Sequence, residues 1–513
     1  MAESIAEYAT LAAVDLGSNS FHCQVARVVS DQIYPLDALR EPVRLGAGLR
    51  EDKQLDDTAQ ERALACLQRF GERLRGFDRH AVRAVGTNTL RVAKNASSFL
   101  KRAQAALGFP IEVIAGREEA RLIYLGVQHS LPPSKEKRLV VDVGGGSTEF
   151  IIGSGYKPAK LASLYMGCVS YSVRFFPDGK ITKSAMKRAE LAARNELLPI
   201  VAGYSRKQWQ EAVGSSGTIR ALAEIAQLNG FCVAGITPAG LEKLRASLLK
   251  AGDTARLGLA GIRPDRLPVL PGGLAILSAV LSELGIAEMT AAPGAMREGL
   301  LYDLLGRVHH KDMRDVTVAQ FMQRYHVDAS QARRVGALAQ SLYRKLTAEE
   351  RNPDENAPVY IGWAAKLHEI GISVAYTGYH KHSAYILEKA DMPGFSRNEQ
   401  GQLSLLVLAH RRSLKKVFAQ LNSAVDWRSV LALRLAALFY RGRSDIALPA
   451  FQAKAQGSKY RLGLDAEWLT RNPLTATALL EETKEWEKIG FELRIPGLAE
   501  AEAASEAALT IVQ

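Results

Sequence analysis

Val14-Asp15-Leu16-Gly17-Ser18-Asn19-Ser20 and Val141-Asp142-Val143-Gly144-Gly145-Gly146-Ser147-Thr148 are written in one grammar. Each has an apolar strand end, an aspartate, one more apolar residue, glycine, then small hydroxyl or amide residues. Apolar runs precede them, Leu11-Ala12-Ala13-Val14 and Arg138-Leu139-Val140-Val141. A second strand follows each, with Phe21, Cys23 and Val25 alternating against His22 and Gln24 in one and Thr148 to Ile152 in the other. The pattern predicts the same strand–loop–strand hairpin twice. Glycine lets such a loop turn tightly and bring its N–H groups close to an anion. The strand-end aspartate would repel a phosphate, so its expected part is to hold a divalent cation that bridges to phosphate oxygens. One such hairpin is an ordinary turn. Two, spaced by the length of an α/β domain, read as duplicated domains facing each other.

Working outward, a third loop, Ala212-Val213-Gly214-Ser215-Ser216-Gly217-Thr218, follows a strand and opens a helical run from Ile219 to Leu228. It offers a further anion site at a helix N-terminus. Val82 to Val85 and Ile111 to Ile114 read as strands, and Leu64, Leu67, Phe70 and Leu74 keep helical spacing after a cap at Asp57 or Thr58. From Leu11 to about Asp303 the alternation is that of an α/β protein. Beyond about Gly306 the chain reads as helical, as in Val335 to Leu346 and Val430 to Phe439. Tyr460 to Leu464 and Phe491 to Ile495 then alternate like strands around a helix near Thr475 to Trp486, a small α+β cap. The expected domains are 1–127, 128–306, 307–446 and 447–513.

The 513 residues are 47% hydrophobic and 23% charged, ordinary globular composition, with a formal net charge of +12 that favours polyanionic partners. Cys23, Cys66, Cys168 and Cys232 form no CxxC pair, which excludes a zinc ribbon or a disulfide framework. Met1 to Thr10 carries Glu3 and Glu7 and no basic n-region, unlike a signal peptide. The apolar stretch Leu267 to Leu284 is broken by Pro268, Pro271, Gly272, Gly273 and Glu283, so no membrane partner is expected, and the cytoplasm is the expected compartment.

The three loops resemble the phosphate motifs of the actin, sugar-kinase and Hsp70 superfamily. Within it the chain resembles the exopolyphosphatase and guanosine pentaphosphate phosphohydrolase family, through Ala13 to Phe21, Gly86-Thr87-Asn88-Thr89-Leu90-Arg91, and Gly116-Arg117-Glu118-Glu119-Ala120-Arg121-Leu122-Ile123-Tyr124. Val141 to Glu149, Met166-Gly167-Cys168-Val169-Ser170 and Gly294-Ala295-Met296-Arg297-Glu298-Gly299 continue the likeness, and the length resembles the long four-domain exopolyphosphatases. The resemblance implies two actin-like (ribonuclease H-like) α/β domains facing a cleft, then a helical HD-like domain and the small α+β domain.

It also implies roles. Glu119 takes the place of the family's general base, and its position in the first turn of a helix fits a carboxylate that orients and deprotonates water. Asp142 and Glu149 are inferred metal ligands, with Asp15 a third candidate; magnesium is the default cation, and a monovalent ion is a further possibility. Gly17, Ser18, Asn19, Ser20, Gly144, Gly145, Gly146, Ser147, Thr148, Gly214, Ser216, Gly217 and Thr218 are expected to bind phosphate, and Arg91 to grip it with its guanidinium. In the helical part, Leu367-His368-Glu369-Ile370-Gly371, His380-Lys381-His382-Ser383 and His410-Arg411-Arg412 resemble an HD phosphohydrolase core in order, but Glu369 stands at the defining aspartate and Arg333-Arg334-Val335 at the first histidine. Arginine does not ligate a divalent cation, so this wall is expected to contact a polyanion through His380, Lys381, His382, His410, Arg411, Arg412, Lys415 and Lys416.

The expected activity is removal of terminal phosphate from inorganic polyphosphate by metal-assisted attack of water activated by Glu119. The alternative is hydrolysis of guanosine pentaphosphate to the tetraphosphate in the same site; the charge balance favours the polymer. A sugar kinase lacks an evident acceptor pocket, and a nucleic-acid binder explains neither the paired loops nor Glu119, so no specific nucleic acid is expected. Long family members imply a homodimer.

Overall fold

The computed structural model describes residues 10–29, 32–132, 134–308, 312–351, 353–421 and 426–498. Glu3 and Glu7, on which the reading of the first ten residues rests, lie outside them. The chain folds as two compact units: residues up to Met313 with Pro393–Ser396, and Arg314–Met392 with the residues from Arg397 onward.

Two five-stranded sheets build the first unit, and they share one topology. β1 (Thr10–Leu16), β2 (Phe21–Val29), β3 (Gln32–Glu41), β4 (Val82–Gly86) and β5 (Ile111–Val113) lie in the order β3-β2-β1-β4-β5. β6 (Arg138–Val143), β7 (Thr148–Ser154), β8 (Lys157–Leu164), β9 (Glu211–Ser215) and β10 (Thr290–Ala291) lie in the order β10-β9-β6-β7-β8. In both, three strands form an antiparallel meander and two more add in parallel on the far side of the first. The repeat legible in two short loops is therefore a repeat of whole sheets, and the expected pair of actin-like domains is present.

The central strands are apolar on both faces because both are covered. Ala12, Val14 and Leu16 of β1 point into one core with the helices Asp57–Arg73 and Ala96–Leu107. Leu11 and Ala13 point the other way, into a core with the helices Gly116–Ser130 and Met296–Val308. Val140 of β6 joins that same core, so the two helices form a layer shared by both sheets. Leu139, Val141 and Val143 face a third core around the helix Leu270–Leu284. Leu267–Leu284 is long and apolar enough to cross a membrane by composition, yet Leu274, Ile276, Leu277 and Val280 are fully buried in this core.

The shared layer is tight at two glycines. A Cβ at Gly299 would lie 1.8 Å from the Leu122 carbonyl oxygen, and one at Gly126 would lie 1.9 Å from that of Ala295. Both obstacles are backbone, so neither yields by a rotamer change. Gly299→Ala should cost at least about 2 kcal/mol, within the usual range for overpacking. A denaturant midpoint equal to wild type would show that the helices do not pack this closely.

The second unit is mostly helical, with helices including Ala329–Leu346, Ala357–Leu367, Tyr379–Lys389, Arg397–Ala409 and Trp427–Phe439. The first and last start earlier than their apolar runs because Asp328 and Asp426 cap them with side-chain bonds to backbone N–H groups. A small sheet, β11 (Gln452–Gln456), β12 (Lys459–Gly463) and β13 (Glu492–Arg494), follows with the helix Pro473–Glu487. β11 reads as nothing in the sequence; Gln-Ala-Lys-Ala-Gln is a strand through its antiparallel pairing with β12.

Candidate active site

Each Asp-x-Gly segment is a hairpin with a four-residue loop, Gly17–Ser20 between β1 and β2 and Gly144–Ser147 between β6 and β7. A side chain at the leading glycine would crowd the turn in both. A Cβ at Gly17 would meet the Ser20 carbonyl oxygen at 2.9 Å, and one at Gly144 would meet that of Ser147 at 3.0 Å. Behind the loops, the carbonyls of Ser18 and Asn19 accept from Gly46 and Arg44, and those of Gly144 and Gly145 accept from Cys168 and Val169. In a trans peptide the next N–H points the opposite way, so those of Asn19, Ser20, Gly145 and Gly146 turn from the bracing chain. The loops face one another: a Cβ at Gly145 would lie 2.9 Å from Ser18 Cβ, and one at Gly146 would lie 3.2 Å from Ser18 Oγ.

Both loops line a cavity of about 480 Å³, with Asp15, Glu119 and Asp142. The third loop reaches it through Ser216, Gly217 and Thr218. Ser216 holds the left-handed conformation at φ 82° where β9 passes into the helix Ser216–Leu228, a backbone cost that recurs at functional sites. Gly214 does not line the cavity. It sits within β9, where a Cβ would strike Ile219.

Four carboxylates gather here. Glu119 lies in the first turn of the helix Gly116–Ser130, 8% exposed, and accepts a 2.6 Å bond from Arg91 Nη1. Asp142 and Glu149 stand directly opposite on β6 and β7, a like-charge pairing that is unfavourable by itself. Burial first, then Glu119 and neighbouring carboxylates, pushes Asp15 up to about 8 and Glu149 well above the usual carboxylate range. Burial pushes Asp142 up to about 7, against its hydrogen bond with Ser215. Asp15 Oδ1 and Glu149 Oε2 are buried with no hydrogen-bond partner among the described residues, a costly arrangement for an acceptor. A cation beside them would remove both penalties, so the donor set fits one. Among the described residues no three His, Cys, Asp or Glu side chains already form a cage; magnesium needs only one or two carboxylates beside water and phosphate.

Several expected phosphate contacts are placed elsewhere. Arg91 does not line the cavity: its guanidinium is committed to Glu119 and, at 3.0 Å, to the Ile114 carbonyl. Thr148 is fully buried and donates to the Met166 carbonyl at 2.6 Å. Glu149 is fully buried below the cavity, accepting from Ser163 Oγ at 2.8 Å. As successive residues of β7 these two point to opposite faces, and Glu149 Oε2 stays beside the loop, 4.0 Å from where a Cβ at Gly144 would lie.

Other residues line the cavity unannounced by the loop motifs, notably His22, Asn88, Arg40, Arg220, Arg266 and Arg297. Burial and the charge of Arg297 push His22 down to about 2, so it is neutral and its Nδ1 accepts from Arg297 at 3.2 Å. Arg40 of β3 reaches Asp265 at 2.5 Å, joining the two halves across the cleft. Asn88 Nδ2 and Asn19 Oδ1 are buried without a hydrogen-bond partner among the described residues. Arg297 lies in the quoted Gly294–Gly299 segment and Arg220 just past the third loop, so both carried a signal; Arg40 and Arg266 carried none.

In the second unit the expected polyanion wall is only partly positive. Burial and nearby arginines push His380 down to about 4, and burial beside His368 holds His410 well below its ordinary value. Both are neutral at pH 7 and supply no charge. Lys381, Lys415 and Lys416 are exposed and His382 half-buried, outside the pocket that His410, Arg411 and Arg412 share.

Residues 24–308 match the Ppx/GppA phosphatase family and residues 313–483 match Ppx/GppA phosphatase, domain III. The guanosine-5'-triphosphate,3'-diphosphate pyrophosphatase of Vibrio cholerae is 39% identical over 94% of this chain and 97% of its own. That of Vibrio atlanticus is similar to the same extent. An exopolyphosphatase from Cytophaga hutchinsonii matches with a TM-score of 0.52 and 26% identity, covering 59% of this chain and 98% of that one. The chain belongs to the Ppx/GppA phosphatase family.

Proposed function

We propose that the chain hydrolyses the terminal phosphoanhydride of guanosine pentaphosphate, releasing inorganic phosphate and the tetraphosphate. The observation that carries the substrate is the end-to-end 39% identity with relatives named for this nucleotide. The charge argument for a polymer rests on a net charge of +12 that already counts histidines as neutral, so His380 and His410, neutral in the structure, add nothing to it.

The reaction follows from the residues in the cleft. N–H groups of the two facing loops, with the hydroxyls of Ser18, Ser20 and Ser147, bind the terminal phosphoryl oxygens. Arg220 and Arg297 balance the remaining negative charge. Glu119, oriented by Arg91, positions a water in line and accepts its proton as the oxygen attacks phosphorus. The bond to the bridging oxygen breaks and its electrons leave on the β-phosphate. Asp142 and Glu149, with Asp15 as third candidate, would hold magnesium, which supplies charge neutralisation to the phosphate oxygens.

A second reading, hydrolysis of polyphosphate by the same residues, is favoured by the likeness to the Cytophaga exopolyphosphatase and by the net charge of +12. Phosphate release from guanosine pentaphosphate and from long polyphosphate, run side by side with magnesium, decides between them. The expected result is a kcat/KM at least about tenfold higher for the nucleotide, about 1.4 kcal/mol of differential transition-state binding. A preference of that size for the polymer would reverse the assignment.

A further inference from the structure

We infer that the second unit has its own binding site for a small phosphate-bearing anion, built where an HD-type protein would hold metal. The pocket lies between the turn His410–Arg412 and the segment Arg441–Arg443 and encloses about 160 Å³. One water needs about 10–15 Å³ on the same scale, so the pocket has room for a phosphate or pyrophosphate group.

Backbone carbonyls fix both rings of the histidine pair, an arrangement that metal-binding histidines share, so the pair by itself does not choose between a metal and an anion. His368 Nδ1 donates to the Ala365 carbonyl at 2.7 Å and His410 Nδ1 to that of Val407 at 2.5 Å. The remaining lone pair of His410 faces the Tyr379 hydroxyl at 3.4 Å. Glu369, the carboxylate next to His368, accepts from Arg443 at 2.6 Å and so already carries a cation.

The charge balance then decides the ligand's sign. Among the lining residues, Arg434 is matched by Glu482 and Arg443 by Glu369. Arg411, Arg412 and Arg441 are matched by no carboxylate in the pocket. A divalent cation would meet three positive charges here; an anion would meet guanidinium forks suited to phosphate oxygens. The groups are held in place. Arg411 lies over the Tyr379 ring, 4.6 Å from its centroid. Arg434 donates to the carbonyls of Ala409 (2.6 Å) and Arg412 (3.1 Å), fixing a turn in which Arg412 keeps φ 66°. Tyr376, 74% exposed, also lines the pocket and offers an aromatic face. The anion's source is either free or the tail of a nucleotide.

The site goes beyond the cleft reaction and is tested without turnover. Isothermal titration of the full chain carrying E119Q, in EDTA, uses pyrophosphate as probe with guanosine diphosphate alongside. The pair R412Q/R441Q should remove one binding event or weaken it at least about tenfold, the usual worth of losing bonds to a charged group. R412K/R441K should restore part of it. Equal affinity for the two probes identifies a free anion; tighter nucleotide binding that Y376A abolishes identifies a nucleotide tail. A folded R412Q/R441Q chain that titrates like its parent overturns the site. The cleft reading fails on phosphate release, so the two are separable.

Discussion

Glu119→Gln lowers turnover by about two to four orders of magnitude, the usual contribution of a positioned acid or base, while substrate binding is retained. The reason lies in the first turn of the helix Gly116–Ser130. Glu119 is almost buried, lines the cleft cavity, and is aimed by a single strong bond from Arg91 Nη1. Glutamine keeps the shape and can still accept from Arg91, but it takes no proton from water. Replacing the Glu119 carboxylate, which lines the cavity, also removes a negative charge that would face the phosphate. KM should therefore stay level or fall while kcat collapses, which separates this variant from one that merely disorders the site. Single-turnover phosphate release with a parallel binding titration makes the measurement. A kcat within about threefold of wild type would remove Glu119 from proton transfer.

The fold and the heart of the site were legible because their signals are local. A strand end, an aspartate and a glycine at fixed spacing specify a hairpin whatever surrounds them, and two copies specified two sheets. What was not legible depends on distance in the chain. Arg40 on β3 and Arg266 before the helix Leu270–Leu284 enter the cleft through the third dimension, with no motif to announce them. Arg91 was expected on phosphate because its segment resembles a phosphate loop, yet its reach ends at Glu119. The histidines fail for another reason. Charge follows burial, and a sequence cannot say that His410 is 2% exposed while Arg412 beside it faces solvent.

Asp303→Asn should cost about 3–5 kcal/mol, the usual penalty for breaking a buried ion pair from one side. Asp303 lies in the helix Met296–Val308, 8% exposed. Arg83 donates to it at 2.5 Å, Arg121 binds its other oxygen, and Arg307 approaches at 3.3 Å. Glu118 completes the group, held by Arg121 at 2.8 Å through both oxygens and by the Gly394 N–H at 2.9 Å. Without the Asp303 charge, the buried guanidinium groups of Arg83 and Arg121 lose a full counter-charge. Burial alone would raise the Asp303 carboxyl, but Arg121, Arg83 and Arg307 hold it well below the usual range. A depressed folded value means that this stabilisation is complete above the unfolded carboxyl value of about 4 and is lost as pH falls further. The stability gap between wild type and Asp303→Asn should accordingly be constant from pH 8 to about 5 and narrow below about 4. Because Glu118 adjoins Glu119 in the same helical turn, the variant should also lose turnover at temperatures where it is still folded. Urea unfolding across that pH range tests the claim. A gap under about 1 kcal/mol at neutral pH, or one that widens in acid, would show that the group beneath Glu119 is not a charge-locked support.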